Sequence, residues 1–302
     1  MNTRRAFLKS AAVVGAAAGH VLEGQTVQVP KMKFFGTEIS RLIVGCNPFY
    51  GYSHFNNILS TVMREYYTPD RVCEVLNRCM EFGINAYNYV GLGRAPQDWA
   101  RFQAQTPAIG GRMHLIVQGM GDPAEIQRSL NKPLAVYHHG EQTDQAFLSG
   151  NSAKIREWCK KARDLGIVTG IGTHRPEVIM QVEEEGWDVD FYAGCVYKRS
   201  RTPEEWKQTL NGEVAEMQNE IYLRSDPPRM YRVMRQTPKP CFAFKIMAAG
   251  RITDRAADQA FQTAFDSIKP GDGVFVGMFP RVKDEVRENA ERVSRILRDA
   301  TS

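Results

Sequence analysis

A chain of 302 residues, 43% hydrophobic and 24% charged, has the make-up of an ordinary folded protein. It is long enough for one α/β barrel of about 250 residues. The formal charge of +5 includes Arg4, Arg5 and Lys9, and without them the balance is close to neutral, so nothing points to nucleic acid as a partner. The six cysteines (Cys46, Cys73, Cys79, Cys159, Cys195 and Cys241) lack the spacing of a disulfide scaffold. Cys46, Cys195 and Cys241 fall in predicted strands, as small buried apolar residues do.

Residues 1–25 read as an export leader. Thr3-Arg-Arg-Ala-Phe-Leu-Lys9 resembles the twin-arginine motif, and an Ala-rich run from Ala11 to Ala18 follows it. That run is too short for a permanent membrane span. The expectation is a removable signal peptide, passage of the folded protein through the twin-arginine export machinery to the periplasm, and no stable membrane anchor.

The domain is expected over residues 30–302. Val29 to Ser40 predicts a hairpin turning at Gly36–Thr37, and Arg41 to Cys46 the first barrel strand. Asn47 to Tyr67 reads as a long aromatic and polar loop facing a substrate. Asp70 is placed to cap a helix that Gly83 stops. Strands follow at Ile84–Tyr89, His114–Gln118, Leu134–His138, Ile167–Gly172, Val189–Gly194, Cys241–Ile246 and Gly273–Gly277. Helices are predicted at Pro96–Gln105, Pro123–Leu130, Ala153–Leu165, Pro176–Glu185, Pro203–Asn219, Pro227–Gln236, Thr253–Ile268 and Lys283–Ala300. Eight alternations with no linker predict a single closed (β/α)8 TIM barrel whose strands are parallel and buried.

Barrel enzymes place their chemistry at the C-terminal strand ends. His138 and His139 end the fourth strand, and alternation allows one of them into the mouth. His174 ends the fifth strand, where the ordinary role is a backbone contact before Pro176. Lys245 stands among Phe242, Phe244, Ile246 and Met247, where burial lowers a lysine pKa; its ordinary role is an ion pair. Asn47, Asn88 and Gln118 end neighbouring strands and suit the hydroxyls of a polyol or sugar. Tyr50, Tyr52 and Trp99 offer aromatic faces to such a ring. A strand-four histidine, His174 and Cys195 are a possible zinc-type set, but no tight ligand spacing such as His-x-x-x-His supports it, so no metal site is assigned and a metal ion is left open. Glu141 and Asp144 read as a loop charge and a helix cap.

Several stretches resemble the aldo-keto reductase fold family over most of residues 32 to 297. These are the hairpin with Ser40-Arg-Leu-Ile-Val-Gly45, Phe82-Gly-Ile-Asn-Ala-Tyr-Asn88, Leu165-Gly-Ile-Val-Thr-Gly-Ile-Gly-Thr173, Met247-Ala-Ala-Gly-Arg-Ile252, and the pair Glu288–Asn289. The resemblance implies an NAD(P)-linked oxidoreductase acting on a carbonyl or hydroxyl of a small, sugar-like substrate, with NADP or NAD as cofactor. It implies adenine contacts at Glu288 and Asn289; in the cofactor shell Thr173–His174 stands in place of the family's Ser-Asn and Phe279–Pro280 in place of its phosphate-contacting pair, with Arg281 as a substitute phosphate contact from the loop. The family's catalytic Asp, Tyr and Lys are replaced here by Asn88, Gly93 and Gln118, and only its histidine persists, as His138 or His139. The expected catalytic set is therefore His139 or His138 with Lys245, Asn88 and Gln118. Alternatives are a metal- or lysine-dependent lyase or hydrolase on the same barrel, or a non-catalytic binding protein.

Overall fold

Met32, Phe34 and Ile39 alternate with exposed or polar neighbours in Lys31–Phe34 (β1) and Thr37–Ser40 (β2), giving the pair one apolar face. The computed structural model, which describes residues 27–105, 113–211 and 220–299, pairs them antiparallel, with Lys31 opposite Ser40 and Phe34 opposite Thr37. The turn is Phe35–Gly36, one residue earlier than the sequence predicts. Both turn residues have positive φ (44° and 79°), the mirror-image geometry that matches hairpin twist. The leader assigned to residues 1–25 lies outside the described residues.

Eight short strands close a parallel barrel in chain order: Leu42–Gly45 (β3), Ala86–Val90 (β4), His114–Gly119 (β5), Ala135–His138 (β6), Val168–Thr173 (β7), Phe191–Cys195 (β8), Cys241–Phe244 (β9) and Gly273–Gly277 (β10), with β10 paired to β3. The expected (β/α)8 barrel with an N-terminal hairpin is therefore present. Alternation sorts the side chains. Ile43, Ala86, Ile116, Ala135, Phe191, Phe242 and Phe275 fill the barrel, while Tyr87, Tyr89, Leu115, Val117 and Val136 pack against the helices. Gly172 is needed inside because a Cβ there would lie 2.8 Å from the Tyr137 ring.

The hairpin plugs the N-terminal end of the barrel. Phe34 is fully buried, and its ring meets Phe191 and Phe242 edge-on at centroid distances of 5.4 and 5.2 Å. Phe34→Ala is expected to cost about 3–5 kcal/mol, because the rings around it cannot collapse into the space. Urea unfolding checks this as a lower midpoint at unchanged slope. A loss below about 1 kcal/mol would mean the plug is not packed.

Two helices are missing from the sequence prediction. Asn57–Tyr66 lies within the expected loop, capped by Asn56, whose side chain accepts from the Leu59 amide at 2.7 Å. Its buried stripe is short and Ile58 points outward, which hides the helical period. The end of this helix ties down the chain after β10: Tyr66 Oη donates to the Pro280 carbonyl at 3.0 Å and Tyr67 Oη to the Met278 carbonyl at 2.5 Å. The second helix, Gly140–Leu148, starts on a glycine and so shows no capping signal. Smaller corrections concern ends. Thr68, rather than Asp70, caps Pro69–Glu81. Pro203–Leu210 ends at Asn211, which is left-handed at φ 50°, and residues 212–219 of the longer predicted helix lie outside the described residues. Among the described residues no helix is long and apolar enough to cross a membrane.

Candidate functional site

Alternation along β6 settles which histidine faces the mouth. Ala135 and Tyr137 point inward, and His139 follows them to line a cavity of about 790 Å³ at the C-terminal strand ends. Ligand pockets are typically roughly 300–1,000 Å³. His138 points outward. It packs edge-on to Trp158 at 5.1 Å, and its Nδ1 lies 2.8 Å from Thr143 Oγ1. The catalytic role expected of His138 is thus corrected to a packing role. His139 Nδ1 is buried and has no hydrogen-bond partner among the described residues.

Burial lowers the pKa of both His138 and His139 to about 4. The native state therefore binds fewer protons than the unfolded chain between 6.5 and about 4. The stability due to these neutral rings is complete above 6.5 and is lost as pH falls through that window. The urea midpoint is expected to drop between neutral pH and about pH 4.5, before most carboxylates titrate, and His138→Gln should remove part of the drop. A midpoint flat over this range would contradict the placement of both rings.

Next to His139 lies a second imidazole. His174, at the end of β7, lines the cavity with its ring against Gly140, where a Cβ would sit 3.0 Å from the His174 Cε1. Its Nδ1 is 2.8 Å from Asp144 Oδ2. Asp144 is fully buried inside helix Gly140–Leu148, so it is not the helix cap the sequence predicts. The carboxylate also accepts from Thr173 Oγ1 at 2.5 Å, from the His174 amide at 3.2 Å and from Ser200 Oγ. Burial works against the Asp144 charge, but these donors, His174 first, hold its pKa below the usual value. Burial likewise lowers His174, partly offset by Asp144. With Nδ1–H donated to Asp144, His174 Nε2 carries the lone pair.

The inner wall below the histidines is polar. Gln118 Nε2 donates to Asn88 Oδ1 at 3.1 Å, and Asn88 Nδ2 donates to Tyr137 Oη at 2.9 Å. Asn88, Gln118 and Tyr137 all line the cavity. Burial lifts the Tyr137 pKa well above 10 and keeps the phenol protonated. Of the three aromatic residues expected at the rim, Tyr52 lines the cavity. Tyr50 instead turns its hydroxyl to Tyr87 at 3.5 Å, and Trp99 belongs to the outer core.

Lys245 follows β9 into the cavity and is held at φ 61°, a left-handed conformation that costs a non-glycine residue about 1 kcal/mol or more. Its Nζ is 2.9 Å from Glu220 Oε2. Glu220 is a hub: His54 Nδ1 lies at 2.7 Å and Arg199 Nε at 2.8 Å, and Tyr222 Oη donates to it. Arg199 reaches on to Glu141 at 2.6 Å, and Asn47 Nδ2 lies 3.1 Å from His54 Nε2. Burial opposes the Glu220 charge, but the hydrogen bond from His54 and the Lys245 and Arg199 charges keep its pKa well below the carboxylate range. Burial lowers the Lys245 pKa, although Glu220 partly restores it. His54, Tyr137, Arg199 and Glu220 were not singled out from the sequence. Tyr137 was reachable, since it precedes His139 by one strand period.

The cavity continues past Phe279, Ile252 and Ala257 to the start of helix Glu285–Asp299, where Lys283, Glu285, Glu288, Asn289 and Arg292 line it. Arg281 is exposed and stands outside the lining, so the basic groups at this end are Lys283 and Arg292. Thr173 is fully buried and engaged with Asp144 rather than with the cavity. Cys195 stays a thiol, since burial raises its pKa to about 12. Among the described residues no three His, Cys, Asp or Glu side chains converge to hold a metal ion. All six cysteines are buried and free.

No protein-family model matches the chain, and no curated protein matches it. Solved structures do. A glycerol dehydrogenase from Gluconobacter oxydans is similar with a TM-score of 0.50 and 14% identity, covering 89% of this chain and 95% of its own. A protein described as 2,5-diketo-D-gluconic acid reductase B is similar with a TM-score of 0.51 and 12% identity, covering 89% and 87%. A truncated 3-deoxy-D-arabino-heptulosonate 7-phosphate synthase from Thermotoga maritima is similar with a TM-score of 0.52 and 11% identity, covering 91% and 93%. Two of the three are oxidoreductases by name and the third is a synthase, so at these identities the likeness establishes the (β/α)8 barrel and leaves the reaction to the site.

Proposed function

We propose that the chain is an NAD(P)-linked oxidoreductase that interconverts a hydroxyl and a carbonyl on a small, sugar-like compound. The observation that carries the reading is continuity: one cavity joins the His139–His174–Lys245 mouth to the cleft at Glu288 and Asn289. The residues fit a dinucleotide. Phe279, Ile252 and Ala257 give the cleft apolar walls, and Glu288 and Asn289 give it polar groups for a ribose and a base. A bound nicotinamide supplies the hydride chemistry.

The chain's own residues handle the proton. His174 Nε2 takes it from the substrate hydroxyl, and Asp144 holds the ring in that tautomer and stabilises the imidazolium that forms. His139 hydrogen-bonds the same oxygen, and the Lys245 ammonium stabilises the negative charge developing on it. Asn88 and Gln118 bind neighbouring hydroxyls. Tyr137 is a poor acid here, because its pKa lies too far above neutral.

Nicotinamide absorbance tests this across a panel of polyols and aldoses. Reduction of NAD(P)⁺ by a polyol supports the reading. The second reading, a lysine-dependent lyase, draws on the burial and left-handed backbone of Lys245. It would be favoured by borohydride trapping of a carbonyl compound on Lys245 without nucleotide-dependent turnover. We also propose export by the twin-arginine route. Replacing Arg4 and Arg5 by Lys is expected to leave the protein in the cytoplasm, as cell fractionation would report, and unchanged export would sink the idea.

A further inference from the structure

We infer that the cavity selects NAD(H) over NADP(H), and that Glu288 sets this preference. The inference rests on the reading that the cleft holds a dinucleotide. The two dinucleotides differ by a phosphate on the ribose 2′-oxygen, so the charge at the adenosine end of the cavity decides between them.

That end is acidic. Asp254, Glu285 and Glu288 line it against Lys283 and Arg292. Neither cation is free. Lys283 Nζ lies 2.9 Å from Glu288 and 3.8 Å from Asp254. Arg292 lies 2.6 Å from Asp258 and 3.3 Å from Glu288, and it also donates to Asn289 Oδ1 at 3.0 Å. Glu285 takes the Phe279 amide at 2.7 Å, so that backbone donor is used as well. Arg281, the cation expected to meet a phosphate, is exposed and off the cavity.

A 2′-phosphate would have to pull Lys283 or Arg292 from these carboxylates and would then face Glu288 across a short gap. Like charges brought together repel, which disfavours the phosphate. A 2′-hydroxyl meets the opposite situation, because it donates a hydrogen bond to a carboxylate and leaves both ion pairs in place. Glu288 is partly exposed, at 28% for its side chain, so its charge can be removed without disturbing the core.

The test is titration of the purified protein with NADH and with NADPH, followed by tryptophan fluorescence, on wild type and Glu288→Gln, with circular dichroism to confirm folding. Wild type is expected to bind NADH about tenfold or more tightly than NADPH. Glu288→Gln should narrow the gap, mainly by strengthening NADPH, and added salt should narrow it in wild type. Equal or tighter NADPH binding in wild type, or a gap unchanged in the variant, overturns the inference while leaving the dinucleotide reading intact. Failure of the folded wild type to bind either nucleotide at millimolar concentration overturns that reading and the inference with it.

Discussion

His174→Ala is expected to lower turnover about 10²–10⁴-fold, the usual contribution of a positioned acid–base group, and to lower the thermal midpoint as well, because buried Asp144 loses its imidazole partner. The Thr173 hydroxyl, the Ser200 hydroxyl and the His174 amide still donate to that carboxylate, so the variant should fold and its loss of turnover should far exceed its loss of stability. Asp144→Asn should fall in the same range for a different reason. An asparagine can donate to Nδ1, which would put the proton on Nε2 and remove the base. The pH profile separates this from a structural effect. In wild type kcat/KM rises with pH as His174 loses its proton and is then level. Because the Asp144 charge raises the His174 pKa against burial, Asp144→Asn should shift the rising limb to lower pH. His138→Ala, whose ring points away from the cavity, should leave the profile unchanged. If His174→Ala keeps full activity, the base is misassigned.

Lys245→Met is the second large effect. It keeps the side-chain volume and removes the ammonium that the proposed mechanism sets against the developing negative charge. Losing one such stabiliser costs about 10²–10³-fold in kcat. Stability should change little, because Glu220 keeps His54, Arg199 and Tyr222. Glu220→Ala is expected to behave in the opposite way. It would leave Lys245 and Arg199 partly buried without their shared anion, and breaking such a cluster from one side costs about 3–5 kcal/mol. Activity and thermal midpoint measured together on both variants give the contrast. If Lys245→Met loses activity only in step with its midpoint, the lysine is structural.

Strand and helix periodicity made the barrel legible, because eight buried strands of β-branched and aromatic residues leave little else for the chain to be. The hairpin and the burial of Cys46, Cys195 and Cys241 were legible for the same reason, whereas alternation admitted one of His138 and His139 to the mouth without saying which. The site was only partly so. Asp144 looked like a helix cap because its helix begins at Gly140 without a capping signal, and its partner His174 lies 30 residues away at the end of the neighbouring strand. Glu220 and Arg199 are loop residues whose partners include His54, Glu141 and Lys245, far away in sequence, and local spacing carries no trace of such pairings. His54 was hidden in the same way, beside a helix that reads as a loop. Arg281 was expected at a phosphate from a resemblance in sequence order, but the backbone after β10, held by Tyr66 and Tyr67, leaves it exposed and outside the cavity lining.

The most direct test of the account is a crystal structure of the protein with NADH. The account predicts the adenosine end beside Glu288 and Asn289, and the nicotinamide at the mouth within reach of a substrate oxygen held by His174 and His139. A dinucleotide bound elsewhere, or a nicotinamide ring turned away from the two histidines, would contradict it.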